Sequence, residues 1–209
     1  MRSLFAPLVL LLGSFGIAFA ADSDFKQFSM SKMMSQAVLF QVPGNFHLLT
    51  ETLNGTNYSQ QWVPEGEQTW NWNQMISIGG NKDLAVTADV SPAYFATQLA
   101  LSFKRKCPEG YAGADLGAMK VGSFDAHAAV VNCPQLFVNG QARSETVVMI
   151  AIKGQRDYFS LQWSERVAAS NTVFDPKDAG VLERRARLAG AKLCKTTTGG
   201  TLTSSSCVE

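Results

Sequence analysis

The alternation of apolar and polar positions is clearest between Glu145 and Arg166, where it describes a β-hairpin. Along Val147-Val148-Met149-Ile150-Ala151-Ile152 both alternating sets of side chains are apolar, as expected of a strand covered on both faces. After Lys153-Gly154-Gln155-Arg156 the pattern becomes strict alternation. Phe159, Leu161 and Trp163 share one face, and Tyr158, Ser160, Gln162 and Ser164 share the other. This second strand is expected to be half buried, with Gly154 supplying a permissive backbone for the turn. Its register is tightly specified, because a slip of one residue would move three large apolar side chains into water at about 1.5–3 kcal/mol each.

Upstream, strands are predicted over 37–42, 46–53, 58–63 and 72–78, punctuated by Pro43-Gly44-Asn45, Asn54-Gly55, Pro64-Glu65-Gly66-Glu67 and Gly79-Gly80-Asn81. Ser91-Pro92 reads as an N-cap with proline at the first helical position. Phe95, Leu99 and Phe103 then form an apolar stripe beside Ala96 and Ala100, and Lys104, Arg105 and Lys106 suit the negative end of the helix dipole. Residues 109–121, rich in Gly and Ala, read as loop with some extended backbone, and Ser123–Cys133 as a strand. Asp175-Pro176 is expected to open a second helix, burying Leu182, Ala186, Ala189 and Leu193 and pairing Glu183 with Arg187 outside. Residues 21–36 suggest a short N-terminal helix, and 196–209 a polar tail. Residues 37–195 therefore form a single α+β domain, an antiparallel sheet of six or seven strands covered by two helices.

The first 20 residues stand outside this pattern. Arg2, the apolar run from Leu4 to Phe19 and Ala18-Phe19-Ala20 have the form of a signal peptide cleaved after Ala20. No cysteine lies at the cut, which disfavours a lipoprotein anchor, and no later stretch is long and apolar enough to span a membrane as a helix. Cleavage leaves about 190 residues, the size of one domain with a sizeable core. The chain has 18 basic and 17 acidic residues, so loss of Arg2 makes it formally neutral, unlike a nucleic-acid binder. The expected compartment is the periplasm or the extracellular space. Four cysteines, Cys107, Cys133, Cys194 and Cys207, fit an oxidising compartment. Of three connectivities, Cys107 with Cys133 and Cys194 with Cys207 close the smaller loops at the lowest entropy cost. A zinc site is the rival use, but the close ligand spacings it favours are absent.

Candidate chemistry is sparse, and no cofactor motif is recognised. Asp125 and His127 share a face of a predicted strand and suggest a dyad serving Ser123 or Ser144, although no Gly-x-Ser-x-Gly elbow is present. His47 reads as a core-edge histidine. Met30, Met33 and Met34 offer soft thioether ligands for copper(I), or simply fill gaps in packing. Arg184, Arg185, Arg187 and Lys192 would make the last helix basic on its outer side. Asn54-Gly55-Thr56 and Asn57-Tyr58-Ser59 match glycosylation sequons. Tyr58, Trp62, Trp70 and Trp72 surround the loop containing Glu65, and aromatic residues in such a place suit a binding surface.

Trp62-Val63-Pro64-Glu65-Gly66-Glu67 with Trp72 and Met75, the two Cys-Pro pairs and the hairpin from Glu145 to Trp163 resemble a group of small exported bacterial proteins. The element order is similar to that of the PsbP-like and DcrB-like α/β sandwiches. That resemblance implies a non-catalytic role, as an assembly factor, envelope protein or chaperone. The expectation is a periplasmic or secreted protein binding a protein or envelope partner through Tyr58, Trp62, Glu65, Trp70 and Trp72. The alternatives are a hydrolase using Asp125 and His127, and a copper-handling protein using the methionines.

Overall fold

The hairpin is β8 (Gln141–Lys153) paired with β9 (Tyr158–Ala168), and the rest of a large sheet grows outward from it. The structure is a computed structural model describing residues 25–30, 34–87, 90–107, 109–170, 172–195 and 207–208. The leader over 1–20 and the tail over 196–206 lie outside the described residues. On one side of the hairpin come β5 (Gln74–Asn81), β4 (Asn57–Pro64) and β3 (Phe46–Asn54). On the other come β7 (Phe124–Val138) and β6 (Ala112–Val121). The described sheet has seven strands in the order β3-β4-β5-β9-β8-β7-β6, every pair antiparallel. Both outer strands carry a register shift, β3 between Leu48 and Thr50 and β6 between Asp115 and Gly117.

A second sheet was not anticipated. It contains β1 (Phe25–Met30), β2 (Gln36–Pro43), β10 (Lys192–Lys195) and β11 (Cys207–Val208). Residues 25–30 are thus a strand, where a short helix was expected. Their partly helical spacing yields to pairing with β2. β2 itself does not pair with β3, and Pro43-Gly44-Asn45 is a corner between sheets. The stretch over 112–121, expected as loop, is edge strand β6, because small residues need little side-chain packing once paired with β7.

The helices cover opposite faces of the large sheet. α1 (Pro92–Lys104) starts as expected, with the Ser91 hydroxyl accepting the Tyr94 N–H at 3.1 Å. Its Phe95, Leu99 and Phe103 meet Val147, Met149 and Ala151 of β8. The alternate residues Val148, Ile150 and Ile152 form the main core with β2, Leu193 of β10 and α2 (Ala179–Ala189). Asp178 caps α2, three residues beyond the expected opening at Asp175. Its buried positions are Val181 and Leu188, so Leu182 and Ala186 turn outward and Leu193 belongs to β10. The chain is an α+β sandwich in three layers: α1, the large sheet, then the small sheet with α2.

The turn between β8 and β9 joins these layers. The Asp157 carboxylate, 1% exposed, accepts the Ser35 N–H at 2.6 Å, the Ser35 hydroxyl at 2.7 Å and the Asp83 N–H at 2.7 Å. Gln36 accepts the Gln155 N–H at 2.6 Å. Gly154 serves close approach here, because a Cβ would lie 2.6 Å from Gln36 Oε1 and 2.9 Å from the Asp157 carbonyl. The second strand of the hairpin is also covered more fully than alternation implied: Tyr158, Ser160 and Ser164 on its polar face are buried. Disulfides join Cys107 to Cys133, tying the end of α1 to β7, and Cys194 to Cys207, linking β10 to β11.

Asp157→Ala removes one acceptor from three donors and is expected to cost about 3–5 kcal/mol. In urea this appears as a lower midpoint at unchanged slope. Tyr158 donates to the Val90 carbonyl at 2.7 Å, and burial, reinforced by the Asp125 charge, pushes its hydroxyl up to about 12. The fold thus favours the neutral phenol. Its contribution is full below pH of about 10, where the unfolded tyrosine is still protonated, and is lost as pH rises to about 12. Tyr158→Phe is expected to be about 1 kcal/mol less stable at neutral pH, with a shallower decline across that alkaline window in pH-dependent denaturation.

Candidate functional site

The five aromatic and acidic residues singled out from the sequence do not share one surface. Tyr58 and Trp62 face the main core, on the side of the sheet opposite α1. The Tyr58 hydroxyl donates to Glu51 and accepts from the Gln60 amide at 2.7 Å, and burial raises its pKa. Trp62 donates to Gln60 at 3.4 Å. Glu65 is exposed, and its backbone N–H holds the Asn45 carbonyl at 2.7 Å. Trp72 lies on the α1 side with Val63 and Met75, only 6% exposed, and the Arg166 guanidinium stacks 3.5 Å from its ring centre. Trp70 is different: 61% of its surface is open to water.

The loop carrying Trp70 is pinned from several directions. Glu67 accepts the Asn73 backbone N–H at 2.8 Å and its side-chain amide at 2.9 Å. Asn73 in turn accepts from Arg143 at 2.6 Å, and Asn139 donates to the Trp70 carbonyl at 2.7 Å. Asn139-Gly140 forms the β7–β8 turn with φ of 50° and 76°, the left-handed pair that an Asn-Gly hairpin favours. Beside this turn Phe137 is 75% exposed. Trp70, Trp72, Val138, Asn139, Arg143 and Arg166 line a cleft of about 270 Å³. The sequence reading missed Phe137, Asn139 and Arg143. The Asn-Gly pair between two apolar runs was the signal that could have found the projecting hairpin end.

Asp125 and His127 do share a strand face, but they do not pair. Asp125 bonds Lys120 at 2.6 Å, and that contact lowers its pKa. His127 Nε2 instead meets Asp115 of β6 at 2.7 Å, and the Gly117 N–H, with His127 behind it, holds the Asp115 carboxyl below its usual range. Ser123 is exposed in the β6–β7 turn. Ser144 lies roughly 20 Å along β8 from the residue opposite His127 and accepts from Asn132 at 3.4 Å. A serine–histidine–aspartate arrangement is therefore not formed by these residues.

Met34 is buried in the main core, while Met33 and the Met30 side chain lie outside the described residues. No group of three or more His, Cys, Asp or Glu side chains among the described residues converges to hold a metal. His47 is half buried, its Nδ1 without a hydrogen-bond partner among the described residues. The last helix is less basic outside than expected, since Arg184 turns onto β9 to bond Glu165 at 2.7 Å. Arg187 pairs with Glu183 at 3.0 Å, Arg185 is half buried, and Lys192 stands exposed on β10. Asn54 and Asn57 are exposed at the β3–β4 turn.

No protein-family model and no curated protein matches this chain. Solved structures similar to it include LpqN, involved in cell envelope biogenesis of Mycobacterium tuberculosis. That likeness has 15% identity over 82% of this chain and 92% of the other, with a TM-score of 0.40. Another is the cyanobacterial PsbP of Synechocystis sp. PCC 6803, with 11% identity over 86% of this chain and 97% of the other, and a TM-score of 0.48. A PsbP-like protein is among these structural likenesses. The α+β architecture stands on the strands and helices of the chain itself.

Beneath Trp72, Arg166 donates from Nε to Glu145 at 2.7 Å, both side chains largely buried. Glu145→Ala would strand the guanidinium against the indole at a cost on the order of 3 kcal/mol. Arg166→Met instead keeps much of the packing while removing the cation. It is expected to open Trp72 to collisional quenchers, which fluorescence quenching by acrylamide measures.

Proposed function

We propose that this chain is a non-catalytic, extracytoplasmic domain that binds a protein partner of the cell envelope through the end of the sheet bearing Trp70 and Phe137. The observation that carries this reading is the exposure of two large aromatic rings, Trp70 at 61% and Phe137 at 75%, near one end of the sheet. Each ring left in water forgoes about 1.5–3 kcal/mol of burial. The hydrogen bonds that Asn139 and Arg143 donate and that Glu67 accepts nevertheless hold that end of the molecule in place. Rigid aromatic anchors of this kind bind at low entropic cost. Two disulfides support an oxidising compartment, and no described helix is long and apolar enough to cross a membrane.

The test is capture from the envelope fraction of the source cells, comparing the native protein with a Trp70→Ala/Phe137→Ser double variant. Both substitutions sit at exposed positions, so stability should change by less than about 0.5 kcal/mol each. The expected result is a discrete partner held by the native protein and lost by the variant. Equal capture by both would sink the proposal.

A further inference from the structure

On the α1 side, the large sheet is only half covered. α1 lies over β6, β7 and β8 and ends at Lys104, leaving a slot of about 290 Å³ over β4, β5, β9 and one end of β8. Register places Gln61, Ser77 and Gln162 side by side across three strands, a row spanning roughly 10 Å. Ser164, one position further along the same face, is only 7% exposed and also lines the slot. Among the described residues, the Ser77 and Ser164 hydroxyls and the Gln162 amide have no protein hydrogen-bond partner. Gln61 commits its amide oxygen to Thr50 at 3.0 Å. Trp72 and Phe103 supply apolar walls.

The polar atoms of this row are recessed but reachable by water, so a concave row without protein partners can exchange that water for the hydrogen-bonding groups of a ligand. The groups present decide its class. A phosphate requires donors and a metal cation requires acceptors, whereas hydroxyls and carboxamides do both. Charge agrees: Glu145 and Arg166 cancel each other at 2.7 Å, and Lys106 is the only other charged residue lining the slot among the described residues. The volume is at the low end of ligand clefts, which run from about 300 to 1,000 Å³, so it fits one ring-sized unit. We infer that this slot binds a neutral, polyhydroxylated ligand, a single saccharide unit, with Gln162, Ser77 and Ser164 bonding its hydroxyls and Trp72 and Phe103 flanking its apolar edge. The slot includes neither Trp70 nor Phe137, although it shares Trp72 and Arg166 with the cleft beside Trp70, and it does not rest on the protein-partner reading.

The experiment titrates the purified chain with glucose, N-acetylglucosamine and tri-N-acetylglucosamine, following the Gln162 side-chain amide and the Ser77 and Ser164 backbone amides by nitrogen-15 NMR. Inorganic phosphate serves as the charged control. At least one saccharide should give saturable shifts confined to these residues, weakened roughly tenfold by Gln162→Leu and by Ser77→Ala, the loss expected for one hydrogen bond. Trp70→Ala should leave the titration unchanged. The inference fails if no saccharide saturates at concentrations up to about 10 mM, if phosphate shifts the same amides as strongly, or if saccharide binding survives both slot variants.

Discussion

The carboxylate of Asp157 is where the architecture is decided. A buried charge is tolerated only when it is hydrogen-bonded, and this one is met by donors from two separate stretches of chain, at Ser35 and Asp83. Ser35 leads into β2 of the small sheet, and Asp83 follows β5 of the large one. One side chain in the turn of the central hairpin thus sets how both sheets approach it. Gly154 completes the junction by leaving room for Gln36, whose side-chain oxygen caps the same turn. The hairpin that dominates the sequence pattern is also the part of the molecule against which the other layers are positioned.

What the sequence made legible follows from local physics. The hairpin, the Ser91-Pro92 helix start and six of the seven antiparallel strands of the large sheet all rest on periodicity and capping, which neighbouring residues determine. What it hid depended on distant partners. β2 shows strand character in its composition, but nothing in Ala37 to Val42 says that its neighbours are β1 and β10. β6 was obscured by its small residues, and with it went the true partner of His127. Asp125 shares its strand face as alternation predicts, yet a carboxylate from the adjoining strand reaches the imidazole first.

The candidate surfaces divide in the same way. Aromatic residues crowded between Tyr58 and Trp72 were visible as a cluster, but strand alternation sends Tyr58 and Trp62 toward the core, while Trp70 sits in the loop between β4 and β5 and stays outside. The polar face of β9 read as solvent-facing, as a half-buried strand should. In the fold, Ser160 and Ser164 are buried even though α1 stops short of covering the adjoining strands. A polar face in the middle of a wide sheet is therefore a stronger hint of a recess than alternation alone conveys. Its meaning becomes clear only when the helix end and the neighbouring strands are in place.

The register shifts in β3 and β6 bear on how such a molecule can meet others. Both lie on the outer strands of the large sheet, where unpaired backbone groups would otherwise offer a template for another chain. A bulge breaks the even spacing of those groups and twists the edge away from a flat ladder. Recruitment by strand addition is thereby disfavoured at both borders, and so is runaway stacking of one copy on the next. A partner of the kind proposed would then meet side chains on the faces and ends of the sheet, which can be selective where bare backbone would be indiscriminate.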